Sequence, residues 1–274
     1  MTMSHPEIPL HARRSPSLLA QHKKRVAREV ATTGQKITGS AYDLLRAQLA
    51  QHRTALKQIA STERKIEAKA TYLPLYDDWV NTALASGTGL QDEVFSTLLI
   101  WHLDCAKFGK ALDMATYAMR YNLDTPATFD RNLPSTLAEE FALGYLTGKW
   151  PANEPDPVSV LGDVMELTGA SDMHDQVRAK LHKAIAYAML GKVSGEVDFA
   201  KLSRAVLDLA LPHLRRALEL FDGSGVKKDI ERAERALRSF DKAAQATAAD
   251  PAAPAQTESA APDAQATASA SGAG

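Results

Sequence analysis

From Ser40 to Lys242 the apolar residues recur every three or four positions, and no convincing stretch alternates them with polar ones. A spacing near 3.6 buries one stripe of a helix, whereas a half-buried strand needs a period of two. The chain is therefore expected to be all-α, with glycine and proline marking the joints. Residues 1–16 carry Pro6, Pro9 and Pro16 and read as an arm. Residues 17–31 read as a short basic helix, broken by Thr33, Gly34 and Gly39. After Leu73-Pro74 a helix ends at Gly87-Thr88-Gly89. Further helices are expected over 90–106, 110–121, 136–149, 157–168, 174–191, 199–221 and 226–242.

Tyr42, Leu45, Leu49, His52, Leu56, Ile59, Glu63 and Ile66 follow a strict 3-4 spacing. That is a heptad seam with two polar interruptions. It predicts one long helix from Ser40, as N-cap, to about Ala70. Such a seam either joins identical subunits or packs on the chain's own body. Polar seam positions suit register selection, so self-association is expected through Leu45, Leu49, His52, Leu56, Ile59 and Ile66.

Four regions follow: a basic arm and short helix (1–39), the heptad helix (40–70), a helical-repeat body (71–242) and a tail (243–274). Residues 90–122 and 174–221 each read as a helix–turn–helix pair of degenerate tetratricopeptide-like type. Two pairs are too few to stack alone, so the helices between them must complete the core. Of the 32 tail residues 15 are Ala, and none is aromatic, Leu, Ile, Val or Met. A segment with so little to bury is expected to be disordered.

Charge is segregated along the chain. Residues 1–70 hold 13 Lys/Arg against 5 Asp/Glu, and residues 71–180 hold 7 against 16. A basic arm on an acidic body suits a polyanion met at one end only; the alternative is a solvated basic helix with no such partner. The basic positions come close together: Arg13, Arg14, Lys23, Lys24, Arg25, Arg28 and Lys36. They are the expected DNA contacts, made to phosphates and therefore salt-sensitive. Gln21 is the only amide in the 17–31 helix, which weakens the case for direct base readout.

Several classes are excluded. There is no G-x-x-x-x-G-K-[ST], no G-x-S-x-G and no H-E-x-x-H. No run of 18 apolar residues predicts a membrane span, and the start lacks the apolar core of a secretory signal. The single Cys105 rules out a disulfide framework and suits a reducing, cytoplasmic setting. Carboxylates do crowd the middle: Asp77, Asp78, Asp92, Glu93, Asp104 and Asp113, with His102 nearby. A Mg-dependent nuclease needs two or three of them to converge. Asp77, Asp92 and Asp104 are the candidates, although first-turn positions already account for Asp77 and Asp92 electrostatically. Glu67-x-Lys69 has the spacing of one nuclease class but no matching upstream Pro-Asp. No resident metal or cofactor is expected, apart from Mg²⁺ if the chain cuts DNA.

Two blocks carry a resemblance. The first contains Trp79, Gly89-x-x-Asp92, Trp101-x-x-Asp104 and a Thr125-Pro126 end. The second contains Met173-x-x-x-Val177-Arg178-x-Lys180-Leu181-His182-Lys183 and Gly225-Val226-Lys227-Lys228. Together, over about 72–126 and 166–237, the sequence resembles the small terminase subunits of peduovirus-type tailed phages. The resemblance implies a role in packaging a phage genome in the host cytoplasm. It implies recognition of cohesive-end DNA and partnership with an ATPase large subunit, in agreement with the missing P-loop. The family is also described as the terminase endonuclease component, but no motif carries a catalytic residue across. Relatives often end in a basic tail, whereas this tail holds three acids and no Lys or Arg. That departure places DNA contact at the N-terminus. The expected assignment is thus an oligomeric, DNA-binding small terminase subunit. The alternatives are that the chain is itself the nuclease, or that it is a helical adaptor without DNA binding.

Overall fold

Side-chain caps set five of the ten α-helix starts among the described residues. Ser61, Asp92, Asn132, Asp156 and Ser203 each accept a hydrogen bond from the main-chain N–H three residues on, which satisfies one of the donors left open in a first turn. The structure is a computed structural model and describes residues 37, 39–126, 131–193 and 195–249. In chain order the helices are α1 (Ser40–Lys57), α2 (Thr62–Tyr72), α3 (Asp77–Ser86), α4 (Glu93–Asp104) and α5 (Phe108–Arg120). They continue with α6 (Leu133–Leu146), α7 (Pro157–Thr168), α8 (Asp175–Met189), α9 (Arg204–Leu220) and α10 (Lys227–Ala249). Short 3₁₀ turns occupy Leu73–Tyr76, Phe199–Lys201 and Asp222–Ser224. No strand occurs among the described residues, so the chain is all-α as expected.

The stretch expected as one rod from 40 to 70 is two helices. The heptad spacing passes through residues 58–61 unbroken, but the backbone does not. Gln58 closes α1, and Ser61 takes extended backbone geometry and caps α2 by accepting from the Arg64 N–H at 3.3 Å. Cap chemistry outweighs a pattern that only asks for continued helix. Ser40 is the first helical residue rather than the cap, a role held by Gly39 without a side-chain bond. The seam of α1 faces inward, with Tyr42, Leu49 and Leu56 buried within the single chain. At the other end α10 continues to Ala249, past the expected start of the tail at 243.

Gly87-Thr88-Gly89 is the helix-ending turn that the sequence indicates. Gly87 closes α3 in the left-handed region at φ 61°. Gly89, at φ 66°, has its N–H on the Tyr117 hydroxyl at 2.9 Å. A Cβ there would lie 2.2 Å from the Tyr121 ring, so no larger residue fits.

Contacts divide the chain after Leu237. Up to that point α4 and α5 form one hairpin, joined by residues 105–107, and α8 and α9 pack on each other. α6 lies against α7 and α8, supplying the core that the two pairs alone would lack. Phe141 and Leu137 of α6, Leu181 and Ile185 of α8, and Phe108 of α5 are almost wholly buried. Gly144 lets Phe108 approach α6, where a Cβ would lie 2.3 Å from the ring. From Arg238 onward the described chain is the end of α10, with residues 241–245 exposed.

Candidate functional site

The seven basic positions Arg13, Arg14, Lys23, Lys24, Arg25, Arg28 and Lys36 lie outside the described residues. The carboxylate candidates lie inside, and each has a local reason to be there. Asp92 is 4 % exposed and caps α4. Its Oδ1 accepts from the Phe95 N–H at 2.9 Å and its Oδ2 from Trp79 Nε1 at 2.8 Å. The Tyr42 ring stacks on Trp79, and its hydroxyl accepts from the Glu93 N–H at 3.1 Å. Burial raises the Asp92 carboxyl above its ordinary value, opposed by the hydrogen bonds it accepts. The Tyr42 phenol rises to about 12, through burial and then the Asp92 charge. Asp92 thus ties α1, α3 and α4 together.

Asp104, at the end of α4, accepts from Lys69 Nζ of α2 at 2.5 Å. Asp77 is exposed in the first turn of α3. Among the described residues no group of three or more His, Cys, Asp or Glu side chains is placed to hold a metal ion. The Cys105 thiol is pushed up to about 11, by burial first and the Asp104 charge second, which leaves it protonated at neutral pH.

Two further constellations stand out in the α6–α8–α9 region. The first is a cleft of about 620 Å³ along α6 and α8, closed at one end by the Asp222–Ser224 turn. Arg131, Lys180 and Lys183 supply its positive charge, and Leu143, Leu146 and Phe221 its apolar wall. Glu139 accepts from Lys180 Nζ at 2.5 Å and also pairs with Arg131. Lys183 lies over the Tyr187 ring and donates to the Ser224 carbonyl at 2.8 Å. Burial lowers both lysines; Arg131 adds to the effect on Lys180 and Lys192 to that on Lys183. Behind Lys183, the buried Asp229 accepts from Tyr187 Oη at 2.7 Å and holds Lys192 through both oxygens.

The second is a histidine pair. His182 Nδ1 of α8 and His213 Nδ1 of α9 are 3.1 Å apart. Burial holds His182 down to about 4, helped by His213, Arg216 and Arg178, and burial lowers His213. Two neutral imidazoles can share one hydrogen bond, one ring donating and the other accepting. The arginines that lower His182 also make this a poor place for a cation.

Sequence reasoning gave neither constellation a role. Lys180, His182 and Lys183 do stand in the second resemblance block, and the i, i+3 spacing of the lysines signals one face of a helix.

Comparison with known proteins decides the family. A family model described as "Phage small terminase subunit" matches residues 46–176. The chain is 36 % identical over 201 residues to "Terminase, endonuclease subunit" of Escherichia phage P2, covering 73 % of this chain and 75 % of that protein. The chain belongs to the phage small terminase subunit family. It is also 25 % identical over 215 residues to "Probable terminase, endonuclease subunit" of Haemophilus phage HP1 (strain HP1c1), covering 74 % of this chain and 73 % of that one. No solved structure matches. The family match begins at Arg46 and so leaves out the N-terminal basic residues. It spans α1 to the start of α8 and thus contains Asp77, Asp92, Asp104 and the Arg131–Glu139 side of the cleft. No helix among the described residues is long and apolar enough to cross a membrane.

Proposed function

We propose that the chain is the DNA-recognising subunit of a phage terminase, acting in the host cytoplasm with a separate ATPase subunit. The observation that carries this reading is the 36 % identity to a terminase subunit over most of both chains. The charge pattern supports it, since the basic residues gather before residue 70 and the body is acidic. In this reading Arg13, Arg14, Lys23, Lys24, Arg25, Arg28 and Lys36 neutralise phosphates beside a cohesive-end site. The helical body receives the ATPase subunit. Self-association belongs to the same proposal and is read from the mass in solution. Leu49 and Leu56 already bury their side chains within one chain, so a monomeric mass would remove the seam's role between subunits.

The test is one gel, with full-length protein, Mg²⁺ and labelled duplexes carrying either the cognate packaging site or a scrambled control. Retarded, intact DNA with preference for the cognate site is expected. The shift should weaken steeply as salt rises, because phosphate contacts release counterions. Reversing Lys23, Lys24 and Arg25 to Glu should abolish it, and an unchanged shift would overturn the assignment of those residues.

The names of the two relatives favour a second reading, in which this chain performs the cut. Site-specific cleavage by the protein alone, lost on chelation, would establish it. Asp104→Asn should then stop cutting without unfolding the chain if Asp104 serves the metal. Full activity in that variant would return Asp104 to its ion pair with Lys69 as its sole role.

A further inference from the structure

We propose that the cleft between α6 and α8 is a docking site for an acidic peptide segment of a partner protein, one that carries an apolar side chain among its carboxylates. The proposal rests on the reading that this partner is the terminase ATPase subunit.

The electrostatics come first. Residues 71–180 hold 7 Lys/Arg against 16 Asp/Glu. Within that acidic stretch and just beyond it, the fold brings Arg131, Lys180 and Lys183 to one concavity. Glu139 is shared between Arg131 and Lys180. The hydrogen bond and ring contact of Lys183 go to the Ser224 carbonyl and the Tyr187 face. Asp175 also lines the cleft, so three cations face two carboxylates and one positive charge is left over; half-burial of the lysines strengthens its pull on an incoming carboxylate. Lys180 and Lys183 lie one turn apart on α8 and can engage two carboxylates with helical spacing.

The wall decides between classes of partner. Leu143, Leu146 and Phe221 line the same cleft, and Phe221 is 38 % exposed, among the large apolar residues left open to solvent. A DNA backbone brings no apolar group to cover them. Its phosphates also run along an extended duplex rather than converging on a concavity of about 620 Å³. That volume suits a few anchoring side chains, the way a partner peptide fills a pocket. Like charge excludes the chain's own basic arm as the occupant. Three cations over an aliphatic floor with an aromatic lip therefore select acidic and apolar side chains in one segment.

The experiment measures binding of the full-length chain to its purified cognate large subunit by isothermal titration calorimetry. It compares wild type with Lys180→Gln/Lys183→Gln, with Phe221→Ser and with Lys183→Ala alone. Lys183→Ala is the variant least able to disturb the fold, because it leaves no carboxylate in an ion pair unpartnered. Circular dichroism and the DNA shift report on each variant's integrity. The double variant is expected to bind at least about tenfold more weakly, with a smaller salt dependence. Phe221→Ser and Lys183→Ala should each weaken binding several-fold, with DNA retention unchanged throughout. Folded variants that bind like wild type would overturn the cleft while leaving the partnership intact. A wild-type chain that does not bind the large subunit would overturn the partnership, and the docking proposal with it. Loss of self-association in the variants, with large-subunit binding intact, would make a second copy of this chain the occupant and overturn the choice made here.

Discussion

The α1–α2 segment and the α6–α8–α9 region are both helical, but they are held by different forces. α2 buries no residue, and α1 buries only Tyr42, Leu49 and Leu56. Polar anchors do much of the holding: Arg53 on Glu93 at 3.1 Å, Lys69 on Asp104, and Tyr76 Oη on His52 Nδ1 at 2.8 Å. α8, by contrast, buries Val177, Ala179, Leu181, Ala184, Ile185, Ala186 and Tyr187. Its alanines let α6 and α9 approach closely. Apolar burial is non-directional and large, whereas a solvent-accessible ion pair contributes little. The difference teaches where this molecule can give. The N-terminal helices sit on a few replaceable bonds, next to the segment proposed to meet DNA, and the α6–α8–α9 core is the rigid part.

The strongest way to break that comparison is to hollow the rigid part. Phe141 is fully buried, and its ring lies 6.0 Å from that of Phe108. Phe141→Ala should cost about 3–5 kcal/mol through lost transfer energy and the cavity left behind. Denaturant unfolding followed by circular dichroism reads this directly. A loss under about 1 kcal/mol would mean that the core collapses around the gap and is not rigid.

The next largest effect belongs to the polar side. Asp92→Ala removes the cap of α4 and leaves the Trp79 indole N–H without its acceptor. The combined cost is about 2 kcal/mol, and part of it is recovered because a buried carboxylate is no longer desolvated. Asp92→Asn keeps an acceptor for one of the two donors and should cost less. Thermal melts of the two variants check this order. Equal losses would mean that the charge, not the hydrogen bonds, joins α1, α3 and α4.

These two sites also mark what the sequence could reveal. Helix class followed from spacing alone, and α7 has the expected bounds because Pro157 opens it and Gly169 follows it. The break between α1 and α2 was hidden, since Ile59 and Ile66 keep the heptad rhythm across it while Ser61 makes it with an extended backbone and a side-chain cap. Asp92 was legible as a carboxylate at the start of α4, expected in the first turn where the structure makes it the cap, but not as the acceptor for Trp79, thirteen residues earlier. The cleft was hidden for a plainer reason. Arg131, Glu139, Lys180 and Phe221 come from three separate parts of the chain, and only tertiary packing brings them to one wall.

The mildest perturbation is acid, and it asks which region yields first. Burial is the leading cause that lowers His52, His102, His182 and His213, and His182 falls furthest, from 6.5 to about 4. In the unfolded chain these rings take up protons near 6.5, while in the folded chain they resist. The unfolded state therefore binds more protons as pH falls through 6.5, and stability is lost in that direction. For His182 the loss continues until about pH 4 and then saturates. Asp92 and Glu140 are raised by burial and act with the opposite sign, in the window above the ordinary carboxylate value. A comparison of pH 7.5 with pH 5.0 reads the histidine loss less whatever Asp92 and Glu140 offset, and the histidine variants separate the two. Partial exposure of His52, His182 and His213 discounts the effect to about 1–2 kcal/mol, or about 3–6 °C in Tm. Replacing His182 and His213 with Gln should flatten the slope more than replacing His52 and His102. The opposite ranking would place the acid-sensitive joint in the N-terminal half and reverse the contrast drawn between the two regions.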